Sequence, residues 1–274
     1  MRKMIFTCTM LVFSNMVKGQ LYFEMGGGYG FSTASEVIDY DITTNLNSTG
    51  WTQVVTLVKG SYGAGLNYGL NVGYKMKSNI SFELGTNLLN GHKFSGTSSY
   101  NSSSLTEESK WTWQGRMLRF NPKIGFIGNG TKIVPFAKVG FVLGVNGKIR
   151  YSETESSSDG DSRETAFELY ENLAFGFSGE FGATYTIKEK WGISLSAQGI
   201  GMNWAPGRLS YTKEVVNGVD QLPSMSTIDK EIVFVEEITQ SSSTPPNSNS
   251  PDEYHKMYFP FSSFGVSLQI RYNL

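Results

Sequence analysis

Tyr62-Gly63-Ala64-Gly65-Leu66-Asn67-Tyr68-Gly69-Leu70-Asn71-Val72-Gly73-Tyr74 is the stretch on which the fold turns. One stripe reads Tyr62, Ala64, Leu66, Tyr68, Leu70, Val72, Tyr74, and the other reads Gly63, Gly65, Asn67, Gly69, Asn71, Gly73. A period of two sorts side chains onto opposite faces of a strand, whereas a helix would scatter both sets around its axis. Leu173 to Ile187 repeats the pattern: Leu173, Phe175, Phe177, Phe181, Ala183, Tyr185 and Ile187 alternate with Ala174, Gly176, Ser178, Glu180, Gly182, Thr184 and Thr186.

Segments of this kind recur at Leu21 to Phe31, Tyr62 to Tyr74, Ile80 to Asn90, Arg116 to Phe126, Ile133 to Asn146, Leu173 to Ile187, Trp191 to Met202 and Met257 to Leu274. The connections alternate in length: 75 to 79, 127 to 132 and 188 to 190 are short, while 32 to 61, 91 to 115, 147 to 172 and 203 to 256 are long. The short ones carry turn residues such as Gly128-Asn129-Gly130. Antiparallel strands joined alternately by tight turns and long loops are the pattern of membrane-spanning barrels. The expected fold is therefore all-β: an eight-stranded antiparallel up-and-down transmembrane β-barrel with long extracellular loops.

A soluble up-and-down barrel would turn its apolar stripe inward. Three features favour the opposite. The second stripe is mostly Gly, Ser and Asn, which weaken a water-facing strand surface but fit a narrow bore. Aromatic residues gather at the turn ends of strands, at Tyr74, Phe82, Phe126, Tyr185, Trp191 and Tyr272, as an interfacial girdle would. Charged residues make up only 17% of the chain, against about 25% in soluble domains.

Among 274 residues, 39% are hydrophobic and 14% aromatic at a net charge of -1, which excludes a disordered chain and gives no basic patch for nucleic acid. Arg2 and Lys3, the apolar stretch Met4 to Val17 and the small residue Gly19 read as a signal peptide over residues 1 to 19, leaving 20 to 274 as the barrel domain. Removing Arg2, Lys3 and Lys18 from the 23 cations leaves 20 against 24 acids. The single cysteine, Cys8, falls in the signal segment, so the mature chain has neither disulfide nor thiolate metal site.

With the polar stripe inside, seven charges line the bore: Glu24, Glu83 and Glu180 against Arg119, Lys123, Lys138 and Arg271. An ion in a dry lumen must be paired and hydrogen-bonded. Glu24 with Arg271, and Glu83 with Lys123, stand at matching heights near the turn ends. Arg119, Lys138 and Glu180 are expected in a second layer nearer mid-strand. The plain reading is a structural plug, and the sharper one a selective pore lining.

The opening Leu21-Tyr22-Phe23-Glu24-Met25-Gly26-Gly27-Gly28-Tyr29-Gly30 and the closing Gly265-Val266-Ser267-Leu268-Gln269-Ile270-Arg271-Tyr272 carry a resemblance. The mature chain resembles the small outer-membrane barrels of Gram-negative bacteria, the OmpA, OmpX and OmpW type in its Bacteroidetes version. The resemblance implies location in the bacterial outer membrane, contact with its lipid, and recognition of the last strand by the barrel-insertion machinery. Such strands usually end in an aromatic residue; this chain keeps Tyr272 and carries Leu274 last. No peptidoglycan-binding domain like that of OmpA is expected.

Loop 147 to 172 sets Lys148, Arg150 and Arg163 against Glu153, Glu155, Asp159, Asp161, Glu164, Glu168 and Glu171. Loop 203 to 256 is also acidic, contains the polar run Ser241 to Pro251, and offers Ile232 to Val235 as a hairpin strand. A surface ligand or partner at these acidic loops is the functional reading, and a solvated loop the bland one. Gly91-His92-Lys93-Phe94-Ser95 is the one place where His and Ser lie close, but at a spacing of three they point to opposite faces of a strand. A lipid A-modifying enzyme is thus the remote alternative. No catalytic residues, metal or cofactor are expected, the chain is expected to be a monomer, and the role is structural or surface-interacting, with a passive channel for small solutes as runner-up.

Overall fold

The computed structural model describes residues 20–33, 36–76, 78–238 and 247–274. Residues 1 to 19, read above as a signal peptide, together with residues 34, 35 and 77 and residues 239 to 246 of the Ser- and Pro-rich run, lie outside the described residues.

The described residues form sixteen strands in one sheet: β1 (Gln20–Ser32), β2 (Val37–Asn47), β3 (Gly50–Lys59), β4 (Gly65–Lys75), β5 (Ile80–Asn101), β6 (Thr106–Ile127), β7 (Ile133–Ser157), β8 (Ser162–Tyr170), β9 (Ala174–Lys188), β10 (Trp191–Trp204), β11 (Arg208–Val216), β12 (Val219–Asp220), β13 (Glu231–Val235), β14 (Asp252–His255), β15 (Phe259–Pro260) and β16 (Ser263–Asn273). Within it, antiparallel ladders run from β1 to β4, β5, β6, β7, β9, β10 and β16. The last of these strands then pairs back with β1, from Tyr22 opposite Asn273 to Ser32 opposite Ser263, and the circuit closes. A closed circuit has no free edge along its length, so every spanning backbone group can be satisfied within the sheet.

The stripes sort as alternation demands. Phe175 is 71% exposed and Leu195 62%, with Val266 at 50%, while Glu180 between the first stripe's neighbours is 4% exposed. Large apolar side chains therefore cover the outside of the circuit, and polar ones fill its bore. Soluble monomers rarely expose large apolar side chains in so continuous a band.

The sequence expectations need correction at the loop end. Strand β4 begins at Gly65, and Tyr62 and Ala64, assigned to the outward stripe, are buried at 2% and 4%. Gly65 adopts φ +134, and a Cβ there would come within 2.5 Å of the Asn90 carbonyl oxygen. This step ends the pleat: residues 61 to 64 form a turn rather than strand, and Ser61 and Gly63 of the other stripe are buried there together with Tyr62 and Ala64. Tyr62 instead packs with Phe261, Trp204, Met117, Leu89 and Ile149 in an apolar core above the bore. The last strand is also shorter than Met257 to Leu274: β16 starts at Ser263, and the preceding Phe261 is fully buried in that core. Leu173 lies just outside β9.

The three regions taken as long loops at 32 to 61, 91 to 115 and 147 to 172 are largely strand. β5, β6 and β7 run for 22, 22 and 25 residues, about twice the 9–11 needed to cross a bilayer. Their upper halves form a curved sheet extended on one side by β2 and β3 and on the other by β8, β11, β13 and β14. Ile232 to Val235 do form a strand, antiparallel to β11 and parallel to β14. Facing residues of this sheet build an aromatic row in which Trp113 and Tyr151 are 4.5 Å apart, and Tyr151 and Phe167 4.7 Å.

Candidate functional site

The bore's charges sit where the ladders put them. Glu24 is directly opposite Arg271, Glu83 opposite Lys123, and Lys138 opposite Glu180. The first pair closes tightly, with Arg271 Nε 2.7 Å and Nη2 2.6 Å from Glu24 Oε1. The second closes at 3.1 Å from Lys123 Nζ to Glu83 Oε1. The third does not close. Lys138 Nζ instead reaches across the bore to Glu24 Oε2 at 3.1 Å and Glu83 Oε2 at 2.6 Å, and Lys123 Nζ takes Glu180 Oε2 at 2.6 Å. Six charges thus join in one network of three carboxylates and three cations, rather than in two layers.

Neutral groups complete the shell. The Tyr22 hydroxyl donates to Glu83 Oε2 at 3.0 Å, and Ser194 Oγ donates to Glu24 Oε1 at 3.1 Å. The Arg271 guanidinium lies 4.3 Å from the Tyr22 ring centroid, a cation–π arrangement. Small residues make room: a Cβ at Gly73 would strike the Tyr22 ring at 2.1 Å, and one at Gly140 would meet Lys123 Cγ at 2.9 Å. Tyr22 was not singled out from sequence, although its place two residues before Glu24 puts it on the same inward face.

Arg119 departs from expectation. It is 0% exposed, yet it meets neither Glu180 nor, among the described residues, any other carboxylate. Its Nη2 donates to Asn67 Oδ1 at 2.7 Å, while Nε and Nη1 donate to nothing. The shear of a closed sheet shifts strands relative to one another, so similar heights counted along two strands need not meet across the bore.

The aromatic residues named from sequence fall at the turn end. Tyr74 stands opposite Phe82, Phe126 opposite Ile80, Tyr185 opposite Ile193, and Trp191 opposite Tyr272. The Trp191 and Tyr272 rings are 4.7 Å apart, with Lys190 Nζ 5.9 Å from the latter. Phe82, Phe126, Tyr185 and Trp191 are exposed, and Tyr74 and Tyr272 half-buried.

At the other end, the acids expected to be solvated are in good part paired. Glu168 accepts from Lys148 Nζ at 2.8 Å and Arg150 Nε at 2.5 Å; Glu214 accepts from Arg163 Nε at 2.7 Å; Glu164 pairs with Lys213. Burial alone would raise the Glu168 carboxyl, but the hydrogen bonds from its two cations outweigh it and hold the group below its ordinary 4.5. A depressed carboxylate stabilises the fold fully above its unfolded value and loses that contribution as pH falls through the folded one. Acidification below about pH 4.5 is thus expected to loosen the β7–β8 hairpin. Hydrogen exchange should show this in the native chain and a flatter pH response in Glu168→Gln. The half-exposed partners limit the loss to under about 1 kcal/mol. Between the tips of β2, β5, β6, β7, β8 and β11 lies a cleft of about 450 Å³ lined by Ile42, Tyr100, Glu107, Glu155, Arg163 and Val216, which the sequence did not disclose.

A closed circuit of strands, greasy outside and ion-filled inside, defines a class: a β-barrel whose solvent is lipid. Residues 5–213 match the family model of the outer membrane protein beta-barrel domain, and the chain belongs to that family. It is accordingly a protein of the bacterial outer membrane. No curated protein matches it.

Proposed function

We propose that the eight strands of the closed circuit, β1, β4, β5, β6, β7, β9, β10 and β16, are the membrane-spanning barrel, and that the protein is a plugged, non-catalytic anchor presenting a structured surface sheet. In this reading it is of the OmpA, OmpX and OmpW type in a Gram-negative envelope, monomeric, with its short turns in the periplasm and its long strands standing outside. The barrel-insertion machinery and outer-membrane lipid are its assembly partners. The 450 Å³ cleft, within the size range of ligand sites, is where a surface ligand would meet it.

The observation that carries the plug is the network itself. Lys138, Glu24 and Glu83 have side chains no more than 1% exposed, and the Tyr62, Trp204 and Phe261 core closes the bore above them. A water-filled channel would leave such groups wet. Purified protein in a planar bilayer is expected to show no steady single-channel conductance. Reproducible steps of uniform size would replace the plug with a passive channel.

His92 packs its ring 5.3 Å from Phe94, and its backbone N–H donates to the Ala64 carbonyl. Both contacts support a packing role for His92 where β5 passes the start of β4. Unaltered lipid A in cells carrying the gene is the expected result on the non-catalytic reading.

A further inference from the structure

The outer apolar stripe ends at one level on three neighbouring strands. Leu88 on β5, Leu118 on β6 and Val145 on β7 are its last members there, and Leu118 stands opposite both of the others. The next outward positions are Asn90, Arg116 and Lys148, again side by side in register, and those after them are Lys93, Gln114 and Arg150. The neighbouring Leu89, Gly115, Met117 and Ile149 are buried on the inner face, which leaves the cations on the outer one. Lys93, Arg116 and Arg150 are exposed, and Lys148 is half-buried.

These four cations face one acid. Glu168, opposite Arg150 on β8, accepts from Arg150 and from Lys148. Lys93 and Arg116 meet no carboxylate among the described residues. Arg208, opposite Tyr170, continues the row onto β11 but is paired with Glu171. Farther up the same sheet the charges balance again, Lys110 with Glu108 and Lys213 with Glu164. Arg116 stands directly opposite Lys148, and like charges so placed in an antiparallel ladder repel. The whole chain carries a net charge of -1, so the positive excess is local. An anion shared between the two strands would relieve that repulsion. At the rim of a lipid-covered band, the nearest anions are the headgroups of the lipid itself.

We propose that Arg116, Lys148, Arg150 and Lys93 bind the phosphorylated headgroup of a lipid in the leaflet at the long-strand end, its acyl chains lying against Leu88, Leu118 and Val145. The arginines supply planar forks that each take two phosphate oxygens, and the lysines supply point charges. This rests on the membrane-barrel reading above and adds a particular lipid chemistry to it.

Binding of bisphosphorylated lipid A to the intact protein in nonionic detergent is counted by native mass spectrometry. It is expected to be much tighter than binding of the same lipid stripped of both phosphates. A basic residue beside an anionic headgroup is worth about fivefold, so Arg116→Gln combined with Lys148→Gln should weaken the complex about 25-fold. Lys132→Gln combined with Lys188→Gln removes the same charge at the turn end and should leave binding unchanged. Equal binding of the stripped lipid, or an equal loss in the turn-end variant, overturns the proposal. Inorganic phosphate matched to the lipid concentration should leave the complex intact; displacement would make this a site for the free anion and overturn the lipid assignment. Should the Arg116 and Lys148 variant not fold, the two lipids compared on the native chain decide alone. Channel steps in the planar bilayer would remove the plug while leaving the phosphate preference, and loss of that preference would leave the plug, so the two fail separately.

Discussion

Glu83→Leu is expected to destabilise the barrel by about 3–5 kcal/mol, the cost of removing one partner from a buried ion pair. Glu83 accepts from Lys123 at 3.1 Å, Lys138 at 2.6 Å and the Tyr22 hydroxyl at 3.0 Å, more donors from separate strands than any simple pair would engage. Without it Lys123 keeps only Glu180, and Lys138 keeps only Glu24. The leucine fills the space but leaves a second positive charge uncompensated. The prediction distinguishes a charge effect from a packing effect through its compensating variant. Glu83→Leu combined with Lys138→Met removes one charge of each sign, and Glu24 retains Arg271 and Ser194. The pair should recover more than half of the single variant's loss, measured as the urea midpoint of the compact, unheated gel band. A single-variant loss below about 1 kcal/mol would mean that water reaches the network, since solvated pairs are worth no more than that.

The parts of this network that can be read from sequence are those tied to short turns. Glu83 and Lys123 lie three and four residues from the turn-side ends of their strands, at Ile80 and Ile127, and the tight connections leave little freedom of register. Glu24 and Arg271 are legible for a different reason: the first and last strands of an up-and-down barrel must meet. Lys138 and Arg119 are not legible in this way. Their partners stand across the bore rather than beside them, and the cross-bore distance depends on shear, which no single strand encodes. The outward stripe is equally plain wherever lipid demands it, as at Leu66, Tyr68, Leu70 and Val72. Above the membrane both outer faces meet water, so the apolar alternation fades, and β2, β3, β8 and β11 read as loops. Tyr62 shows the same boundary within one motif, since the residues on either side of Gly65 obey different solvents.

Phe181→Arg is expected to cost about 2–4 kcal/mol, and Tyr185→Arg at the turn-end girdle only about 0–1 kcal/mol. Phe181 is 61% exposed on the outer face of β9, flanked in register by Ala197 and Ala137, four residues from the girdle position Tyr185. A crossing of 9–11 residues puts it close to the bilayer midplane. The two substitutions change charge and size in similar ways on the same face of the same strand. Depth in hydrocarbon is the variable that separates them. Equilibrium folding into lipid vesicles measures the difference directly. A barrel of this shape in water would show no such difference, because exchanging an exposed aromatic side chain for arginine on a solvated strand costs little at either position and improves solubility. Equal effects at the two positions would therefore remove the lipid from the outer stripe, and with it the reason for ions to occupy the bore.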